Sequence, residues 1–203
     1  MVWLVAGLGN PGAKYAQNRH NVGFFVLDEL ARRHGLGPFR AKLGADAASG
    51  GLAGQSALLV KPMEFMNRSG YALARHAQYR DVPADHIVVV HDEIDIDFGR
   101  IKVKAGGGHG GHNGLRSIIA QLGSREFSRI RVGVGKPAGS DAAYGDKRVA
   151  NYVLSDFPSA LASEVEDVVN AAADAVEVTL RDGVKTAMNE FNGKAIISVA
   201  SDD

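Results

Sequence analysis

Residues 87–93 read IVVVHDE: four β-branched apolar residues in unbroken succession, then three polar ones. A strand with one wet face alternates apolar and polar residues. An unbroken apolar run therefore predicts a strand covered on both faces, which requires a sheet sandwiched between helices. The rest of the chain fits that requirement. Residues 2–6 read as a short buried strand and 56–62 as a strand stopped by Pro62, while 100–105 and 129–135 alternate more openly. Helical spacing separates them. Val22, Phe25, Val26 and Leu30 mark a helix over 21–34 that Gly35 can terminate, and 67–79, 113–123 and 159–181 carry similar spacing. The order predicts one α/β domain over 1–197, a twisted mixed β-sheet with helices on both faces, and a loose C-terminal tail at 198–203.

The chain has 203 residues and no cysteine, so it is long enough for a full core and has neither disulfides nor a thiolate metal site. That usage fits a reducing compartment, and the start MVWLVAGLGNPG has too few apolar residues before Gly and Pro for a signal peptide or membrane span. A soluble, cytoplasmic protein is expected. Lys plus Arg (23) balance Asp plus Glu (23), but unevenly along the chain. Residues 1–99 carry 10 basic and 10 acidic side chains, 100–148 carry 10 and 3, and 149–203 carry 3 and 10. The basic middle segment is either a solvated surface or a footprint for a polyanion.

Gly7, Gly9 and Gly12 follow the first strand in the spacing G-x-G-x-x-G. A dinucleotide fingerprint places its last glycine in the first turn of a helix and an acid ~20 residues on, after the next strand. Here Pro11 and the polar stretch 13–20 intervene, and Asp28 and Glu29 fall inside the predicted helix. The glycines are better read as a tight loop beyond a strand end, where open α/β sheets bind ligands. That makes Asn10, Tyr15, Asn18, His20 and Asn21 candidates.

Other polar clusters occupy similar places: Asn67 and Ser69 after Pro62, His91, Asp92, Glu93 and Asp95 at the end of the strongest strand, and GGGHGGHNG (106–114) before a helix. Among them stands no cysteine and no serine framed as a nucleophile elbow, so water is the expected attacker. A neutral histidine can deprotonate water if a carboxylate orients it, and His20 with Asp92 is the candidate pair. Asn10, Asn67 and Asn113 offer uncharged donors for an oxyanion or a substrate amide. Plainer readings compete. His91, His109 and His112 are rival histidines, Asn67 and Asn113 fit helix caps, and His109 with His112 or Asp92 with Glu93 and Asp95 could be tested as cation ligands.

Five stretches in order, GLGNPGAKYAQNRHNVGF (7–24), KPMEFMNRSG (61–70), VVVHDEIDIDFG (89–99 with its preceding valine), KAGGGHGGHNGLRS (104–117) and RIRVGVGKP (129–137), followed by VANYVLSDF (149–157), resemble the bacterial-type peptidyl-tRNA hydrolases. Asn18 and Glu64 stand where that family often has Thr. The resemblance implies a monomeric hydrolase without metal or cofactor that cleaves the ester between a peptide and the 3′-terminal ribose of tRNA. It implies His20 as general base, Asp92 as its orienting acid, and Asn10 as the contact to the peptide near the ester. Asn67 and Asn113 would position substrate and water, Tyr15, Phe65 and Met66 would wall the site, and His112 would be accessory. Lys102, Lys104 and Arg131 would contact tRNA phosphates. The partner is peptidyl-tRNA, with no membrane. Two other classes set the contrast: a catalytically idle RNA-binding module on the same fold, and a nucleotide-dependent dehydrogenase. The glycine-rich stretches 106–111 and 135–146 are the candidate lids.

Overall fold

The computed structural model describes residues 1–137 and 141–197. Among these, the strands are β1 (Trp3–Gly7), β2 (Arg40–Lys42), β3 (Ala45–Leu52), β4 (Gln55–Pro62), β5 (Ile87–Glu93), β6 (Ile101–Ala105) and β7 (Ser128–Gly133). They form one twisted mixed sheet in the order β2-β3-β4-β1-β5-β7-β6. The four central strands β4, β1, β5 and β7 are parallel, and β2, β3 and β6 add antiparallel edges.

Every residue of β5 is buried, as its unbroken apolar run requires. Its alternate residues enter two different cores. Val88 and Val90 join Val5, Leu59, Ile130 and Val132 beneath α1 (Val22–His34), α5 (Ala162–Asp182) and α6 (Val184–Phe191). Val89 joins Leu4, Ala6, Leu58 and Val60 beneath α2 (Ser69–Tyr79) and α3 (Asn113–Leu122). Each fully buried aliphatic side chain contributes about 1.5–3 kcal/mol, so two-sided burial anchors β5 in both cores. A third cluster, with Ile94, Val134, Val149 and Val153, seats α4 (Lys147–Val153) beyond the end of β5.

Of the three glycines after β1, Gly7 and Gly9 are packing residues, while Gly12 takes a positive φ of 106° in the turn. A Cβ on Gly7 would lie 2.2 Å from the carbonyl oxygen of Gly23, and one on Gly23 would lie 2.4 Å from the amide nitrogen of Leu8. No side chain fits between β1 and the first turn of α1. This contact brings the turn that carries His20 against the ends of β1 and β5.

Several boundaries differ from the sequence expectation. The helix expected over 159–181 starts at Ala162 after a 3-10 turn at Ser159–Leu161, and the one expected over 67–79 starts at Ser69 after another at Met66–Arg68. The edge strand β2, its neighbour β3 and the helices α4 and α6 were not individually legible. The expected tail at 198–203 and positions 138–140 of one candidate lid lie outside the described residues. No helix among the described residues is long and apolar enough to cross a membrane.

Candidate active site

Three loops beyond the carboxyl ends of β1, β4 and β5 meet the glycine-rich loop that precedes α3. Asn10, in the first loop, is fixed from two directions. Its backbone N–H donates to Asn21 Oδ1 at 2.9 Å and its carbonyl accepts from Asn21 Nδ2 at 3.0 Å. Its side-chain Oδ1 accepts from the backbone N–H of Met66 at 2.8 Å. The Nδ2 donor of Asn10 has no protein partner among the described residues, and Asn10 lines the cleft.

Asp92 gathers the chemistry. His20, in a 3-10 turn before α1, donates from Nδ1 to Asp92 Oδ1 at 2.7 Å. His112 reaches the same oxygen from Nε2 at 2.9 Å, and its Nδ1 accepts from the backbone N–H groups of Gly114 at 3.1 Å and Leu115 at 3.4 Å. Two amide donors at Nδ1 place the His112 proton on Nε2. His112 is thus the N-cap of α3 as well as a donor to Asp92, and neither Asn67 nor Asn113 is a helix cap. The Tyr144 hydroxyl donates to Asp92 Oδ2 at 3.0 Å. Burial works to raise the Asp92 carboxyl, but His20 and His112 facing it hold it well below the usual carboxylate range. A buried carboxylate that accepts from Nδ1 of His20 leaves Nε2 as the lone-pair nitrogen, and His20 lines the cleft.

The rival histidines have other partners. His91 points its Nδ1–H at the backbone oxygen of Asp92 at 2.7 Å, and burial pushes it well below the ordinary histidine value. His109 Nδ1 accepts from the Gly111 amide. The acids after β5 also part: Glu93 pairs with Arg131 at 2.9 Å and Asp95 with Lys136 at 2.7 Å, so they do not form a cation cage with Asp92.

His20, Asp92 and His112 are the group among the described residues with ligand atoms close enough to share a metal ion. Their donor chemistry fits hydrogen bonding instead. Both imidazole N–H groups are already spent on one carboxylate oxygen, and the remaining His112 nitrogen caps a helix, so a metal would have to displace protons and break both contacts.

Above this centre lies a cleft of about 380 Å³, lined by Asn10, His20, Phe65, Met66, Asn67, Asn113, Tyr144 and one face of α4. Met66 is buried, while Asn67 and Asn113 stand exposed at the rim and Phe65 is 56% exposed. Tyr15 meets Phe65 edge-on, with ring centroids 6.4 Å apart, and forms an outer wall rather than part of the cleft itself. The α4 wall is tied to the His20 turn: Asn18 Nδ2 donates to Asp156 Oδ1 at 2.6 Å, and Arg19 donates to Ser155 Oγ at 2.6 Å while lying over the Tyr152 ring. Asn18 therefore serves as a tether, which explains how a position where the resembled family often has Thr is used here.

The basic residues expected to meet phosphates lie on the β6–β7 edge. Lys102 is paired in register with Arg131, and Lys104 with Arg129, so the four share one face, opposite the face that buries Ile101, Val103, Ile130 and Val132. Lys102 and Lys104 are exposed and form no ion pair among the described residues, whereas Arg131 is held by Glu93. Arg129 donates to the carbonyls of Gly107 and Gly108 and so braces the glycine-rich loop. Burial first, then the neighbouring Arg131 and Arg125, lower its guanidinium to about 10. Asn21, a candidate from the sequence, acts as the clamp on Asn10, whereas Tyr144 and the α4 wall were missed as functional parts of the site. Only α4 had a usable signal, Asp146, whose carboxylate accepts from the Arg148 amide as a helix cap.

Comparison with known proteins gives a consistent result. The family model described as Peptidyl-tRNA hydrolase matches residues 4–198. The peptidyl-tRNA hydrolase of Mycolicibacterium smegmatis is 49% identical over 187 residues, covering 92% of this chain and 95% of its own. That of Mycobacterium tuberculosis is 46% identical over 191 residues, covering 93% and 96%. The crystal structure of peptidyl-tRNA hydrolase from Acinetobacter baumannii matches with a TM-score of 0.87 at 35% identity, over 97% of each chain.

Proposed function

The chain belongs to the bacterial-type peptidyl-tRNA hydrolase family and is a hydrolase of that class, and on this premise we propose that it cleaves the peptidyl ester with water activated by His20. The observation that supports this most is the 2.7 Å contact from His20 Nδ1 to buried Asp92, which leaves Nε2 to accept a proton in the cleft. Water held at Nε2 attacks the ester carbonyl carbon and gives its proton to His20. Asp92 steadies the imidazolium and remains a carboxylate. The tetrahedral intermediate then collapses, the carbon–oxygen bond to the ribose breaks, and the proton on Nε2 passes to the departing ribose oxygen. General base catalysis of this kind contributes about 10²–10⁴ in rate.

The free Nδ2 of Asn10 and the rim amide of Asn113 are uncharged donors suited to the developing oxyanion or to the first peptide carbonyl. Contact between Asn10 and that carbonyl would favour N-blocked over free aminoacyl esters. Asn67 positions the substrate, and exposed Phe65, flanked by Tyr15 and Met66, offers a face on which the terminal adenine can stack, an interaction worth about 1–3 kcal/mol per base. His112 keeps Asp92 in place. Lys102, Lys104 and Arg131 take the tRNA phosphates, with Arg131 the least available because Glu93 already holds it. The reading includes a monomer working in the cytoplasm on peptidyl-tRNA, without metal or cofactor.

The test is release of N-acetyl-amino acid from N-acetyl-aminoacyl-tRNA with EDTA present, by wild type and His20→Ala. We expect EDTA-resistant turnover by wild type and a loss of about 10²–10⁴ in the variant, with unblocked aminoacyl-tRNA a poor substrate for both. Undiminished turnover by folded His20→Ala would remove His20 from the mechanism.

A further inference from the structure

Tyr144 sits in the stretch after β7 and has no part in the chemistry above. Its hydroxyl lies 3.0 Å from Asp92 Oδ2 and 3.2 Å from the Asp92 backbone oxygen. His20 and His112 both use Oδ1, so among the described residues Oδ2 has one side-chain donor, and it is Tyr144. Asp92 is 0% exposed. With Oδ2 unpaired, a buried carboxylate would either carry an unsatisfied charged oxygen or turn about its Cβ–Cγ bond, and turning would carry Oδ1 away from His20. Burial, reinforced by Asp92 and Glu93, keeps the phenol well above its ordinary value, so it is a permanent donor.

The ring is also held in place. It meets the His112 ring with centroids 5.2 Å apart, and a Cβ on Gly111 would lie 2.8 Å from Tyr144 Cβ, so the glycine-rich loop and the loop after β7 close on each other here. Tyr144 forms part of the cleft wall at the same time.

We propose that Tyr144 is a positioning residue for the hydrolysis: its hydroxyl fixes the rotation of Asp92 and thereby aims His20 at the water, while latching the turn just before α4 to the catalytic carboxylate. This rests on the reading of His20 as the base. Tyr144→Phe removes the hydroxyl and keeps the ring that packs on His112 and Gly111. The experiment compares wild type, Tyr144→Phe, His20→Ala and the double variant on N-acetyl-aminoacyl-tRNA, with Tm for each and the proton NMR resonance of the His20 Nδ1–H. Tyr144→Phe should lower kcat by about tenfold with KM changed less than about twofold and Tm nearly unchanged. The Nδ1–H resonance should shift, and adding the substitution to His20→Ala should cost nothing further. A merely structural tyrosine would lower Tm or raise KM and leave the resonance where it was. The proposal is overturned by wild-type kcat in Tyr144→Phe, by an unmoved resonance, or by a full further loss in the double variant. Undiminished turnover by His20→Ala would overturn the underlying reading as well, and so marks that failure separately.

Discussion

Asp92 and Arg33 each collect several partners from distant parts of the chain. Asp92 takes His20, His112 and Tyr144, while Arg33 takes Glu29 at 2.7 Å, Asp174 at 2.6 Å and Glu177 at 3.2 Å. Asp92 is sealed at the end of β5 and its partners are directional donors. The Arg33 side chain is 22% exposed, and its partners are full opposite charges on α1 and α5. Burial disfavours charge at both, and in both the partners outweigh it: Asp92 is held down, and Arg33 is held above its already high value, with Asp174, Glu29 and Glu177 responsible. What differs is what the charge is for. Around Arg33 every charge is answered by another, so the cluster fastens α1 to α5 and has nothing left for chemistry. Around Asp92 both nitrogens of His112 and the hydroxyl of Tyr144 are engaged, but His20 spends only Nδ1, and its far nitrogen is left to work.

The largest expected effect comes from breaking the buried centre. Asp92→Asn keeps the shape but loses the charge that fixes the His20 tautomer, and should lower kcat by about 10²–10⁴ on N-acetyl-aminoacyl-tRNA. Arg33→Met, measured in the same assay, should leave kcat within about twofold, since its cluster lies on the helical face away from the cleft. A shared loss of turnover would erase the distinction between the two centres.

Arg33→Met should act on stability instead. It leaves Asp174 without its partner and Glu29 and Glu177 with only Arg32 and His34, and should lower Tm by about 3–6 °C, the equivalent of about 1–2 kcal/mol in a domain of this size. Calorimetry would check it, and an unchanged Tm would mean that the cluster is ornamental.

The smallest effect is a pH dependence. Hydrogen bonding from Arg32 leads the causes that lower Glu29 from an ordinary value of 4.5 to about 2. A depressed carboxylate stabilises the fold fully above 4.5 and loses that contribution as pH falls toward about 2. Glu29→Gln should therefore cost about 1–3 °C in Tm at neutral pH, with the difference from wild type shrinking below pH 4.5 and vanishing only below about 2. A difference that persists at low pH would assign the effect to packing rather than charge.

The same comparison shows what the sequence could disclose. Glu29 and Arg33 stand four apart on a legible helix, but nothing local points from Arg33 to Asp174, 141 positions away. His20 and Asp92 are 72 positions apart, yet both were found, because His20 follows the strand at 2–6 and Asp92 closes the strand at 87–93, two segments whose own residues announce them. The apolar run at β5 carried the sheet and its two covered faces. Strand β3 was missed because ADAASGGL lacks the β-branched alternation of a strand and is ordered by its eight-residue pairing with β4. Tyr144 was missed because a tyrosine between Ala143 and Gly145 looks like any loop residue until the loop is seen closing on Asp92. The competing reading of Asn113 as a helix cap fails for a related reason: His112 supplies the cap of α3, and that use of a ring nitrogen has no signature beyond the histidine itself.

The most direct test of the account is a long-range proton–nitrogen NMR correlation of the His20 imidazole in its neutral form, in wild type and in Asp92→Asn. The account predicts a protonated Nδ1 and a lone-pair Nε2 in wild type, with that preference lost in the variant along with turnover. A wild-type spectrum showing the proton on Nε2 would contradict it, because the nitrogen facing the cleft would then have no lone pair with which to take a proton from water.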